Sequence, residues 1–151
     1  MHIHIFNEQS DLPIHSSQVK HLILFVLETF KKKYDEMSVY FVSEEKICAM
    51  HQTFFDDPTS TDCISFPMDN ENDLGYTILG EIFVCPKAAI DYANAQKKDV
   101  FEELSHYVVH GMLHLLGFRD DQEKLKKEMF KKQQSIINKL KTKKLLLAKS
   151  Q

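Results

Sequence analysis

Long apolar runs are missing from this chain. The longest, Leu22 to Leu27, is far too short to span a bilayer and is helically patterned. The first residues lack the basic-then-apolar order of a secretory signal and enter a strand-like alternation at once, His2-Ile-His-Ile-Phe6. Cysteines are few. Cys48, Cys63 and Cys85 are odd in number, mutually distant and outside C-x-x-C spacing, which excludes a disulfide framework and a thiolate zinc site. Such usage suits a reducing cytoplasm, and all three are expected to be buried small hydrophobes. Glycine and proline number four each, and no repeat, low-complexity segment or interdomain linker interrupts the sequence. These absences point to a cytoplasmic protein with no membrane segment.

What is present fits one globular domain over residues 1–151, long enough to bury a sizeable core. Apolar residues make up 43% and charged residues 27%, ordinary values for such a domain. The net charge of −3 is unevenly spread. From about residue 122 onward, a basic helix and tail carry ten lysines against two glutamates, or +8, which leaves −11 on the residues before it. A basic segment on an acidic body is suited to RNA or another polyanion, although a solvated lysine face on a terminal helix has the same composition.

Hydrophobic periodicity orders the elements. Val19, Leu22, Ile23, Val26 and Phe30 lie at helical spacing within Ser17 to Lys31. Met37 to Val42 is apolar on both faces and suits a central strand. Ser43 with Glu44 and Glu45 reads as an N-cap followed by acids in the first turn, and the helix after it is expected to turn Ile47, Met50 and Phe54 inward. Cys63 to Phe66 reads as a short strand stopped by Pro67, Met68 to Tyr76 as a hairpin connection, and Thr77 to Val84 as the next strand. Pro86 is at a natural first helical position. Val100 to Leu116 is an apolar helix, and a last helix from about Gln122 uses Leu125, Met129, Ile136 and Leu140 before dissolving into lysines. The order βα, βα, β, β, ααα predicts an α+β (α/β layered) protein: a small mixed sheet of about four strands with about five helices packed on it.

The segment His110-Gly-Met-Leu-His114-Leu-Leu-Gly117-Phe-Arg-Asp120 carries the chemistry. Two imidazoles four residues apart share a helical face, separated by about 6 Å of rise and about 40° of rotation. Both ring nitrogens can then reach one ion at about 2.0–2.1 Å. Gly117 can take the left-handed conformation that ends a helix, so the chain can turn and bring Asp120 back as a third ligand. Eight histidines in this length would give roughly 0.4 such pairs by chance, so the pair alone is weak and the conjunction with Gly117 and Asp120 is what counts. His106, about 12 Å along the axis from His114, is a packed or hydrogen-bonded residue and not a ligand to the same ion. The metzincin proteases share the spacing but place their general base beside the first His. Here that position is Gly111, which moves no proton.

The residues resemble the YbeY family, bacterial rRNA maturation factors regarded as metal-dependent endoribonucleases. His110-Gly-x-Leu-His114-Leu-x-Gly117-Phe follows its HGxLHLxGYDH pattern, Thr61-Asp-Cys-Ile-Ser-Phe-Pro67 resembles its TDVLSFP, and Leu79-Gly-Glu-Ile-Phe-Val-Cys-Pro86 its LGDIxIxxP. The matches span about Val39 to Ile137. The resemblance implies a compact α/β fold, a zinc-type site, single-stranded RNA as substrate, and action in 16S rRNA maturation and ribosome quality control. The chain departs from the pattern at three positions. Asp120 stands at the third-ligand His, Arg119 at the Asp before it, and Phe55 at an Arg thought to meet the RNA backbone.

The expected site is therefore His110, His114 and Asp120 around one Zn²⁺ or other divalent ion, with one position open for water or a phosphate oxygen. An Asp ligand makes bound water a weaker acid than three neutral imidazoles would and moves preference toward harder metals. Arg119 is a candidate to supply the phosphate contact given up at residue 55. Asp62 and Ser65 are candidates to line the cleft, or form a strand-entry turn with local hydrogen bonds. Phe54 and Phe55 are suited to base stacking, though core packing is the commoner fate. Two other functions share these residues: a non-catalytic ribosome-assembly factor with a structural metal, and a zinc hydrolase of peptides or small esters.

Overall fold

The computed structural model describes residues 1–71 and 75–149. The element order is β1 (His2–Glu8), α1 (Ser16–Thr29), β2 (Glu36–Val42), α2 (Glu44–Phe55), β3 (Cys63–Glu71), β4 (Thr77–Val84), α3 (Pro86–Gln96), α4 (Val100–Leu115) and α5 (Glu123–Lys143). This is the α+β order expected from periodicity. The four strands form one sheet in the order β1-β2-β4-β3, with β1, β2 and β4 parallel and β3 antiparallel to β4.

Alternation along the strands divides the sheet into two faces. Met37, Val39 and Phe41 of β2, with Leu79, Ile82 and Val84 of β4, are fully buried in a large cluster shared with Leu22, Ile23 and Val26 of α1, Val108, Met112 and Leu113 of α4, and Ile136 and Leu140 of α5. The other face carries a smaller cluster, Val42, Ile47, Met50, Ile64 and Cys85, beneath α2. Beyond α2 that face is a stripe of rings, with Phe6 stacked on Tyr40 at 4.7 Å and Tyr40 on Phe83 at 4.5 Å. Ser43 caps α2 by accepting from the Lys46 N–H at 3.2 Å, as its position before two acids predicts.

Several local expectations need revision. Pro67 does not stop β3, which runs on to Glu71 with a register shift between Pro67 and Asn70. The reason is topological: β3 is an edge strand, where alternate N–H groups face away from the sheet and a proline at such a position removes no ladder bond. The connection read over Met68–Tyr76 is thus strand at its start, and residues 72–74 lie outside the described residues. Phe54 does not turn inward. It is 58% exposed, with its ring in a T-shaped contact with Phe66 at 5.0 Å, because it is on the last turn of α2, at the β3 side of the sheet. Cys85 is buried, but Cys48 and Cys63 are half-buried.

The chain after α5 does not dissolve. Lys144 takes a left-handed conformation and the backbone turns back. Leu147 is then buried, its N–H donating to Ser105 Oγ at 2.9 Å, and Ser105 donates in turn to the Phe101 carbonyl at 2.8 Å. Ser105 is the one buried polar residue among the described residues, and this pair of bonds satisfies it.

Candidate metal centre

Helix α4 packs on the β4–β3 side of the sheet and carries the histidines in its C-terminal half. Its start is set by Asp99, whose Oδ1 accepts from the Glu102 N–H at 2.9 Å, with Glu102 and Glu103 favourable beside the helix N-terminus. Gly111 lies where α4 presses closest to the sheet. A Cβ there would lie 2.8 Å from Cys63 Sγ and 3.0 Å from Ile82 Cγ2. Ser65 of β3 fastens the same turn by donating to the Gly111 carbonyl at 3.1 Å. Ser65 is therefore a pin between β3 and α4 as well as part of the cleft wall.

The helix ends in a full Schellman turn. The Gly117 N–H reaches the His114 carbonyl at 3.0 Å and the Phe118 N–H reaches the Leu113 carbonyl at 3.0 Å, with Gly117 at φ +100°. This turn does more than stop the helix. The Phe118 carbonyl accepts from His114 Nδ1 at 3.1 Å, and the Phe118 ring packs edge-on against Phe30 at 5.7 Å. Because a carbonyl only accepts, His114 carries its proton on Nδ1 and presents a lone pair on Nε2.

His110 is oriented from a different helix. Gln133 of α5 accepts from His110 Nδ1 at 2.9 Å through Oε1, and donates through Nε2 to His106 Nδ1 at 3.1 Å. Burial lowers the His106 pKa, in keeping with a neutral ring that can accept. His106 is thus the hydrogen-bonded residue expected, at the outer end of a relay that leaves a lone pair on His110 Nε2. Sequence reasoning missed Gln133. Its signal was there: it is the polar residue in the seam Met129, Gln133, Ile136, Leu140, otherwise buried and apolar.

The two Nε2 atoms lie 3.1 Å apart, and Asp120 Oδ2 lies 3.7 Å from that of His110 and 3.3 Å from that of His114. Two imidazole lone pairs facing at that distance repel unless a cation or a proton lies between them. Ligand atoms at about 2.0–2.1 Å from a tetrahedral Zn²⁺ are separated by about 3.3–3.4 Å. The observed triangle has that size, so the residues fit a divalent ion. These three form a group that could hold a metal, with ligand atoms all within 4.8 Å of one another.

The triad looks onto two clefts. One, of about 590 Å³, is walled by α2 and β3 and includes His51, Phe55, Asp62, Ser65 and Arg119. The other, of about 410 Å³ and mostly apolar, runs along α5. His110 and Asp120 line both. Phe55 is 56% exposed at the first cleft, against His51 at 5.6 Å, and so is not core. Arg119 lines the same cleft, but its guanidinium is bound by Asp121 through Nε at 3.1 Å and through a second, shorter contact. That bond holds the Asp121 carboxyl below the usual carboxylate range.

A mixed sheet backed by a His-x-x-x-His helix, with a carboxylate closing an open three-ligand triangle above a cleft, defines a hydrolase-like α+β protein with a candidate metal centre. The chain belongs to the endoribonuclease YbeY family, whose model, described as "Endoribonuclease YbeY", matches residues 4–141. It is 45% identical over 121 residues to the endoribonuclease YbeY of Protochlamydia amoebophila (strain UWE25), covering 80% of this chain and 81% of that protein. The Chlamydia pneumoniae protein of the same name is 37% identical over 149 residues, covering 96% and 94%. The solution structure of TM1509 from Thermotoga maritima superposes with a TM-score of 0.60 at 29% identity, covering 89% of this chain and 86% of that one. An endoribonuclease acts on RNA, and the family membership makes this chain one. Among the described residues, no helix is long and apolar enough to cross a membrane.

Proposed function

We propose that this protein is a metal-dependent endoribonuclease specific for single strands, acting on 16S rRNA during maturation and ribosome quality control in the cytoplasm, with ribosomal subunits as its setting. The observation that carries the metal-dependent part is the triangle of His110 Nε2, His114 Nε2 and Asp120 Oδ2 at the mouth of two clefts. These three residues would hold one Zn²⁺ or another divalent ion. When bound, the ion supplies Lewis acidity toward a phosphodiester and lowers the pKa of water. The chain's own groups do the rest. The Phe118 carbonyl and Gln133 fix the imidazole tautomers, Arg119 is at hand for a phosphate oxygen, and Asp62 and Ser65 shape the cleft floor.

The test is cleavage of a single-stranded rRNA fragment after chelation and after return of Zn²⁺, Mn²⁺ or Mg²⁺, with a duplex of the same sequence as control. Activity lost on chelation, restored by metal and absent on the duplex is the expected result. Chelation with no effect would remove the metal from the mechanism. The carboxylate ligand predicts that Mn²⁺ restores a larger share of activity than it does for the variant Asp120→His.

Gln133→Leu keeps the seam of α5 apolar while removing the partner of His110. Metal affinity should fall by about 10- to 100-fold in competition with a chromophoric chelator. A fall of under about twofold would show that Gln133 does not orient the ligand.

One observation favours a second reading. The α2–β3 cleft carries Asp62 and Asp120 against a single Arg119 already bound to Asp121, an unfavourable charge for RNA. A ribosome-assembly factor with a metal clasp would tolerate that. It would bind ribosomal subunits equally well with His114→Ala, whereas the nuclease would lose cleavage.

A further inference from the structure

The lysines that make the C-terminal segment basic find a use at the second cleft. This inference rests on the nuclease reading above. On the α2–β3 side of the triad the charged lining residues besides the histidines are Asp62, Asp120 and Arg119, a formal −1. On the α5 side they are Lys126, Lys127 and Lys131 against Asp120 and Glu123, a formal +1. The favourable wall for a polyanion is thus on α5.

Its shape agrees with its charge. Phe130, also in this lining, is 63% exposed, the most exposed large hydrophobic residue described. An exposed ring among lysines, over an apolar floor that includes Met129, combines a base-stacking surface with phosphate-binding cations. Lys127 and Lys131 are one helical turn apart, separated by about 6 Å along the axis, and so form a short cationic row parallel to the groove. The groove ends at His110 and Asp120, two of the three candidate ligands, and Gln133 joins its wall to His110.

We propose that single-stranded RNA enters the centre along α5, with a base stacked on Phe130 and phosphates held by Lys126, Lys127 and Lys131. The strand is then held in the cleft along α5, whose lining shares His110 and Asp120 with the α2–β3 cleft but does not include Phe55.

The test is binding of a fluorescently labelled single-stranded RNA 12-mer to the full chain without added metal, read by anisotropy across a salt series, with cleavage measured in parallel. Phe130→Ala should weaken binding about tenfold and Phe130→Tyr should restore it, since stacking on one ring is worth that much. Lys126→Gln/Lys127→Gln/Lys131→Gln should reduce the slope of log K against log salt by about 2, as three phosphate contacts on a single strand require. Lys139→Gln/Lys143→Gln/Lys149→Gln removes the same charge away from the groove and should leave the slope nearly unchanged. All these side chains are exposed, so the fold is kept. Equal losses from the two triple variants, or no effect of Phe130→Ala while the unaltered protein binds and cleaves, would overturn the track alone. If the unaltered protein neither binds nor cleaves single-stranded RNA, the track and the nuclease reading fall together.

Discussion

His114→Ala is expected to lower the rate of RNA cleavage by at least about 10³-fold, since Lewis-acid activation supplies several kcal/mol and each 1.36 kcal/mol is a factor of ten. The substitution removes one corner of the ligand triangle and leaves His110 Nε2 and Asp120 Oδ2, 3.7 Å apart, as a two-ligand remnant. Metal content per chain should fall with it. The fold should not. The side chain is on the last turn of α4 and is 26% exposed, and apart from the ligand triangle it donates to the Phe118 carbonyl. Losing that bond costs about 1 kcal/mol. Removing one of two facing lone pairs offsets part of it in the metal-free protein. Thermal melts with and without chelator, beside metal analysis and single-turnover cleavage, separate these effects. Full cleavage by a folded, metal-free variant would show that the activity comes from elsewhere.

Gly80→Ala is expected to reduce stability by about 3 kcal/mol. Gly80 of β4 has φ +145° and pairs with Pro67 of β3. A Cβ there would lie 2.4 Å from the Phe66 carbonyl oxygen and 2.9 Å from Leu115 Cδ2. The first neighbour is backbone and cannot swing aside. Relief requires β3 to slide along β4 or α4 to lift from the sheet. Gly117→Ala offers the contrast, because Gly117 also has positive φ, at +100°, but a Cβ there meets nothing within 4 Å. It should cost about 1–2 kcal/mol, the conformational penalty alone. Urea denaturation of the two variants measures the difference. Equal losses would mean that strain at Gly80 is conformational and that the strand contact yields.

Much of this architecture is legible in the sequence because it is written locally. The element order follows from periodicity, the α2 cap from Ser43, and the end of α4 from Gly117. His110, His114 and Asp120 come together because one helical turn and one Schellman turn suffice to converge them. What was not legible depends on distant partners. Pro67 is harmless only because β3 is at an edge, which no residue near it reveals. Phe54 is exposed because the last turn of α2 falls at the β3 side of the sheet. Gln133 is 23 residues from the His110 it orients, and its role appears only once α5 packs across α4. The docking of Leu147 on Ser105 spans 42 residues and has the same character.

Gly111 separates this centre from the metzincin proteases in a way that composition alone does not convey. Any side chain there begins with a Cβ 2.8 Å from Cys63 Sγ. A glutamate base beside the first histidine would have to be built through the floor on which the metal helix rests. A metzincin-type base beside the first histidine is therefore opposed by the packing of the helix as well as missing from the sequence. Acquiring such a base would take at least two coordinated changes, one in α4 and one in the sheet beneath it. A single substitution along that route loses packing before it gains a proton acceptor.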